Sequence, residues 1–101
     1  FDMSRPETVL QELKPNTKML YVETPSNPGL DVIDMAWLAG ICKERNVLLV
    51  VDNCFAPPAV QQPIKWGADL VLHSATKFID GQGRVLGGVV VGRQELIQPL
   101  Y

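Results

Sequence analysis

The sequence predicts an α/β protein built on a mostly parallel sheet, and three observations lead there. Val47-Leu48-Leu49-Val50-Val51 is an unbroken apolar run that closes on Asp52-Asn53. Ala68-Asp69-Leu70-Val71-Leu72 is a second such run, and it leads into His73-Ser74-Ala75-Thr76-Lys77. Parallel strands are buried on both faces, so they read as near-continuous apolar stretches closed by polar residues. The third observation is that these strands alternate with helical patterns over short connections, the order expected of α/β architecture.

Each element follows from its residues. Residues 6–13 read as a short helix, with Ser4 as N-cap, Pro6 in the first turn and Glu7 favouring the N-terminus. Pro15-Asn16 ends it, and 18–23 (Lys-Met-Leu-Tyr-Val-Glu) is a strand. Residues 24–29 hold two prolines with Ser, Asn and Gly, a loop composition. Asp31 or Asp34 then caps a helix reaching about Arg45, with Ile33, Trp37, Leu38 and Ile41 as its buried face. Asn46 closes that helix before the strand 47–52. Pro57, Pro58 and Pro63 reduce the next segment to at most a helical turn around 59–62, and Trp66-Gly67 leads into a strand over 68–72. Residues 80–84 form a glycine-rich turn, 87–92 a strand, and a helix starts after Arg93. That turn is too short for a crossover helix, so the last strand is expected to run antiparallel.

The composition is that of an ordinary globular protein: 101 residues, 47% hydrophobic, 20% charged, net charge -2. Such a chain buries a small core and accommodates one domain at most. A near-neutral, slightly acidic balance gives no footprint for nucleic acid or an anionic membrane surface. No apolar run approaches the roughly 18 residues needed to span a bilayer, and the first residues do not resemble a signal peptide. The chain starts at Phe1 rather than Met, the pattern of a segment internal to a longer protein. Cys42 and Cys54, with His73 as the one histidine, have no metal-ligand spacing, so no metal site is expected. Buried or half-buried free thiols in a reducing, cytoplasmic setting are the simpler reading.

Ligands of parallel sheets collect beyond the carboxyl ends of the strands. That places Asp52, Asn53, Ser74, Thr76 and Lys77 at one rim. An acid, a lysine and two hydroxyls are the groups needed to hold pyridoxal phosphate: a Schiff-base lysine, a carboxylate that keeps the pyridine nitrogen protonated, and phosphate ligands. Each has a plainer alternative. An isolated lysine is usually a solvated charge, an acid after a strand often caps the next turn, and Ser or Thr hydroxyls commonly bond nearby backbone. For Lys77, desolvation at the rim would lower the amine's pKa and make it nucleophilic. Asn53 reads as a turn residue. His73 faces away from Ser74 by strand alternation and reads as a packing residue. Gly81, Gly83, Gly87 and Gly88 precede no clear helix N-terminus, so backbone permissiveness accounts for them better than a phosphate loop. Trp37, Trp66 and Phe78 are taken as core or interface aromatics.

Residues 69–83, centred on Ser74-Ala75-Thr76-Lys77, resemble the lysine signature of the Cys/Met-metabolism pyridoxal-phosphate enzymes. Glu23-Thr24-Pro25-Ser26-Asn27-Pro28 and Val51-Asp52-Asn53 are similar to two further segments of that family, in the same order. The resemblance implies the central part of a fold type I large domain, a three-layer α/β/α sandwich, with residues 1–101 as one incomplete domain. It implies pyridoxal 5'-phosphate as cofactor, with Lys77 catalytic and Asp52, Ser74, Thr76, Lys77 and Asn27 binding the cofactor. Asn27 would lie near the phenolic oxygen and the substrate carboxylate.

The loop Asp80-Gly81-Gln82-Gly83-Arg84-Val85-Leu86-Gly87-Gly88 looks most like the bacterial sulfhydrylase branch. The implied reaction is γ-replacement on O-succinylhomoserine by sulfide, giving homocysteine for methionine biosynthesis. Cystathionine γ-synthase and the cystathionine or methionine lyases are the alternatives within the family. The implied partners are a small amino-acid substrate and further copies of the chain in a dimer of dimers, with no nucleic acid or membrane. Several family elements are absent from these residues: the N-terminal arm with its Tyr and Arg, the ring-stacking Tyr, the Gly-Met phosphate turn and the carboxylate-binding Arg. The chain alone is therefore expected to be inactive. Two rivals from other classes are a non-catalytic fragment that binds no cofactor and a Rossmann-like nucleotide binder. The latter is disfavoured because no Gly-x-Gly-x-x-Gly follows the first strand.

Overall fold

The computed structural model describes residues 1–101. Four strands form one sheet in the order β1-β2-β3-β4, with β1 at Met19–Glu23, β2 at Leu48–Asp52, β3 at Leu70–Ser74 and β4 at Gly88–Gly92. The pairs β1–β2 and β2–β3 are parallel, and β3–β4 is antiparallel, as the short turn before β4 requires. The register sets Glu23 beside Asp52 and Asp52 beside Leu72, so the strand ends that carry polar residues come level at one rim.

Helix α1 (Val9–Glu12) follows a single 3-10 turn, Pro6–Thr8, so the predicted 6–13 helix is divided. Ser4 does not cap it. Its hydroxyl donates instead to Asp2 Oδ1 at 2.7 Å, and Arg5 takes the boundary position without a side-chain cap. Helix α2 (Met35–Glu44) is capped by Asp34, whose Oδ1 accepts from Trp37 N–H at 3.0 Å. Asp31 is held in the preceding loop, where its carboxylate accepts from the Ser26 hydroxyl at 2.7 Å. Starting the helix at Met35 turns Met35, Leu38, Ala39 and Cys42 inward and leaves Trp37 at the surface. Asn46 ends the segment in the left-handed region at φ 53°. This suits an Asn, whose short polar side chain tolerates that conformation.

Because the strands lie side by side in chain order, right-handed crossovers put both parallel connections on one face. Helix α2 and the 3-10 turn Pro63–Trp66 share that face; the helical turn expected around 59–62 thus falls just after those residues, begun by Pro63. Gly67 makes their approach possible. Its φ is 102°, and a Cβ there would stand 2.9 Å from Ala39 Cβ. Beneath α2 lies the core: Val9, Val22, Ile33, Leu38, Cys42, Leu49, Val51 and Val71 all belong to one buried cluster. The chain thus supplies a sheet and one helical layer of the α/β architecture. On the opposite face Met19 and Tyr21 are half exposed. Trp37, Trp66 and Phe78 are exposed as well, so none of these aromatics fills the core.

Strand β3 runs two residues beyond its predicted end, to Ser74. The cause is β4, which pairs Val89 with His73 and Gly88 with Ser74 and carries the ladder to the rim. At the other end Asp69 joins three strands. Its Oδ2 accepts from Leu49 N–H at 2.8 Å, and its Oδ1 pairs with Arg93 at 2.8 Å. Helix α3 (Gln94–Ile97) follows Arg93 as expected.

Leu38 is fully buried between α2 and the sheet. Leu38→Ala is expected to cost about 2–5 kcal/mol, and loss of the Asp34 cap in Asp34→Ala about 1 kcal/mol. Urea unfolding of the two variants should rank them in that order.

Candidate functional site

Asp52, Ser74, Thr76 and Lys77 stand together at the carboxyl ends of β2 and β3, the rim where ligands of parallel sheets gather. Asp52 ends β2. Its Oδ2 accepts from the Tyr21 hydroxyl at 2.7 Å, and its Oδ1 accepts from Cys54 N–H at 3.1 Å. Burial pushes its carboxyl up. Hydrogen bonds from the Cys54 thiol and the Tyr21 hydroxyl, with the Lys77 charge, outweigh that and hold it below the usual carboxylate range. Tyr21 responds in the opposite sense. Burial and the neighbouring Asp52 carboxylate push its hydroxyl up to about 12.

Ser74 ends β3, and its backbone N–H donates to Cys54 Sγ at 2.9 Å, which ties the β2 rim to the β3 rim. The Ser74 hydroxyl has no protein partner within hydrogen-bond reach. Residues Ala75–Ile79 make one wide turn, closed by Asp80 N–H to Ala75 C=O at 2.9 Å. Such π-type turns cluster at functional sites. Within it Lys77 departs from helical geometry (ψ -109°), and its ammonium stands 4.3 Å from the centroid of the Phe55 ring. Phe78 packs on Phe55 at 6.3 Å between centroids, so the amine rests at an aromatic shelf. Lys77 forms no ion pair and is exposed in this chain, so the chain itself does not bury the amine as the desolvation argument required. Thr76 Oγ1 accepts from Gly87 N–H at 3.1 Å and donates only at 3.5 Å to Gly87 C=O. Its proton is weakly engaged.

Asn27 lies on the loop after β1 at the same end of the sheet. It is exposed, its backbone N–H donates to Glu23 Oε2 at 3.3 Å, and no hydrogen bond joins its side chain to the other four residues. Under the rim a buried amide network fixes both loops. Asn53 Nδ2 donates to Ala56 C=O at 2.6 Å and to Gln61 C=O at 3.1 Å. Gln61 Nε2 donates to Asn53 Oδ1 at 2.6 Å and to Thr24 C=O at 2.8 Å. Asn53 therefore does what a turn residue does. His73 is buried on the α2 side of the sheet with Nδ1 unpartnered, away from the Ser74 face. Tyr21, Cys54 and Phe55 are the rim residues that the sequence reading missed. For Tyr21 a signal existed, because in a parallel pair it shares a face with Asp52. Cys54 and Phe55 sit in a loop with no periodicity to place them.

A concavity of about 680 Å³ lies at the other end of the sheet, between Lys18, Lys43, Trp66 and Arg93. It contains none of the rim residues. No group of three His, Cys, Asp or Glu side chains is arranged to hold a metal ion. No helix is long and apolar enough to cross a membrane.

An acid, two hydroxyls and a lysine at the carboxyl rim of the sheet suit a pyridoxal-phosphate site, and comparison with known families supplies the class. The profile of the Cys/Met metabolism PLP-dependent enzymes matches residues 1–101, and the chain belongs to that family. It is 62% identical over 82 residues to an O-succinylhomoserine sulfhydrylase of Pseudomonas aeruginosa, covering 81% of this chain and 20% of that protein. It is 51% identical over 101 residues to a cystathionine gamma-lyase of Bacillus subtilis, covering 99% of this chain and 27% of that protein. Among solved structures, metB from Corynebacterium glutamicum superposes with a TM-score of 0.92 at 48% identity, over 99% of this chain and 26% of its own. A cystathionine gamma-lyase from Lactobacillus plantarum complexed with L-serine gives 0.91 at 37%, over 98% of this chain and 26% of its own. The chain thus spans about a fifth to a quarter of the length of these relatives.

Two titrations follow from the rim. Asp52 has a folded pKa below its unfolded value. Its contribution to stability is therefore complete above about pH 4 and lost as pH falls through the lower folded value. Tyr21 has a raised one, so its contribution is complete below about pH 10 and lost as pH rises through about 12. Denaturation measured against pH should lose its acid-limb component in Asp52→Asn and its alkaline component in Tyr21→Phe.

Proposed function

We propose that this chain is the cofactor-binding segment of the large domain of a pyridoxal-phosphate enzyme that replaces the succinyl ester of O-succinylhomoserine with sulfide, giving homocysteine and succinate. The observation that carries the cofactor assignment is the convergence of Asp52, Ser74, Thr76 and Lys77 on one rim, with donors and acceptors still available. The donor set suits the cofactor. Asp52 is an ionised carboxylate, the Ser74 hydroxyl has no protein partner, the Thr76 proton is held only at 3.5 Å, and Lys77 has no counter-ion.

When bound, pyridoxal phosphate supplies an electron sink that lets a proton leave the carbon beside the substrate's amino group. Lys77 would hold the cofactor, and its Nζ would serve as the base that takes the α-proton and returns it. Asp52 would keep a proton on the ring nitrogen through its charge. Ser74 and Thr76 would donate to the phosphate, Thr76 while keeping the Gly87 N–H on its oxygen. Asn27, exposed on the loop after β1, would serve near the cofactor's phenolic oxygen and the substrate carboxylate.

The sulfhydrylase assignment is supported by the loop that follows Lys77. Asp80 Oδ2 accepts from Gln82 N–H at 3.2 Å and Arg84 N–H at 2.9 Å, which folds the segment back beside the rim. The 62% identity to the Pseudomonas sulfhydrylase, against 51% to the Bacillus lyase, supports the same branch. A lyase is the second reading, favoured by the number of lyases similar over nearly the whole chain. In the longer protein we propose a homotetramer in the cytoplasm acting on a free amino-acid derivative.

Borohydride treatment of the cofactor-loaded enzyme should fix the label on the peptide containing Lys77, and label at Lys43 or Lys65 instead would overturn the assignment. Asp52→Asn should retain cofactor yet slow α-proton exchange by orders of magnitude. For substrate choice, sulfide and cysteine compared at equal concentration with O-succinylhomoserine should give homocysteine faster than cystathionine. Release of an α-keto acid from a thiol amino acid, with neither product formed, would make the enzyme a lyase.

A further inference from the structure

Tyr21 is half exposed on the face of the sheet away from α2, yet its hydroxyl reaches Asp52 Oδ2 at 2.7 Å. The register explains the reach. Tyr21 pairs with Val50 and Glu23 with Asp52, so Tyr21 and Asp52 are diagonal neighbours on one face, within span of an aromatic side chain. The second carboxylate oxygen is held from a different element, by Cys54 N–H at 3.1 Å, and Cys54 Sγ is in turn anchored by Ser74 N–H at 2.9 Å.

The geometry points to Tyr21 as a positioning residue for the reaction: its hydroxyl, acting with Cys54 N–H, fixes the plane of the Asp52 carboxylate so that the remaining lone pair faces the cofactor's ring nitrogen. This deepens the reading above and rests on Asp52 facing that nitrogen. With the Tyr21 hydroxyl and the N–H and thiol of Cys54 on it, the carboxylate keeps one of its roughly four acceptor sites, enough for a ring N–H. Donors from β1 and from the loop after β2 remove the free rotation that an Asp at a strand end would otherwise have. A phenol is suited to the role because it stays protonated, and so remains a donor, throughout the range in which Asp52 is ionised. The charged and titratable groups that face this pair are Glu23 on β1, Cys54 after β2 and Lys77 after β3. Of these, Lys77 favours the Asp52 charge, and Glu23 opposes ionisation of Tyr21.

The test uses the complete enzyme and Tyr21→Phe, which keeps the ring and removes only the oxygen. In cofactor-free protein carrying ¹³C-labelled aspartate, the Asp52 carboxyl should titrate at higher pH in the variant than in the wild type. In the loaded enzyme, kcat for α-proton exchange should fall about tenfold or more, the scale of a hydrogen bond to a charged group, with KM within twofold. The acid limb of its pH profile should also move upward. On an Asp52→Asn background, Tyr21→Phe should cause no further loss. If the carboxyl titration and kcat are both unmoved while Asp52→Asn is crippled, the positioning role is overturned and the cofactor assignment stands. If Asp52→Asn exchanges protons like the wild type, both are overturned.

Discussion

A carboxylate at the end of a buried parallel strand must be given donors, or burial would protonate it and remove its use. In this chain that requirement organises the rim. Asp52 draws one donor from β1 and one from the loop that follows it, and the second donor residue is itself held by β3. Three neighbouring strands are thereby committed to one side chain. The amide network of Asn53, Gln61 and Thr24 does the same beneath it, locking the loops after β1 and β2 to each other. The rim rests on a scaffold whose buried side-chain nitrogens and oxygens all have partners except His73 Nδ1.

The division of labour between the two faces of the sheet follows from strand order. Crossovers of one hand, taken always in the same direction, stack α2 and the Pro63–Trp66 turn on the same side and bury Leu49, Val51 and Val71 beneath them. Tyr21 and Asp52 lie on the other face, so residues of the two faces alternate along single strands. In β3, Val71 and His73 go to the core side while Leu72 and Ser74 take the other.

Much of this was legible in the residues because the strands obey a simple rule. Continuous apolar runs closed by polar residues located β2 and β3, the short turn before β4 gave its direction, and the Ser-Ala-Thr-Lys segment located the rim. What escaped prediction was tertiary in origin. Ladder pairing with β4, not composition, carried β3 on to Ser74. Helix phase, set by the Asp34 cap, decided that Trp37 faces out, although its spacing from Leu38 and Ile41 suits a buried stripe. Tyr21 looked like one more apolar strand residue, and only the parallel register gives its hydroxyl a partner. The exposure of Lys77 depends on what surrounds the rim, which no local pattern records.

The sequential strand order also bears on how the segment is made. Each strand pairs with the one just before it in the chain, so no strand waits for a later one to be inserted between neighbours. Contacts form at modest sequence separation, which shortens the loops that must close and favours quick assembly despite the parallel pairing. The acid and its tyrosine partner belong to the first two strands of that order, so their hydrogen bond needs neither β3 nor β4 to bring the two residues side by side.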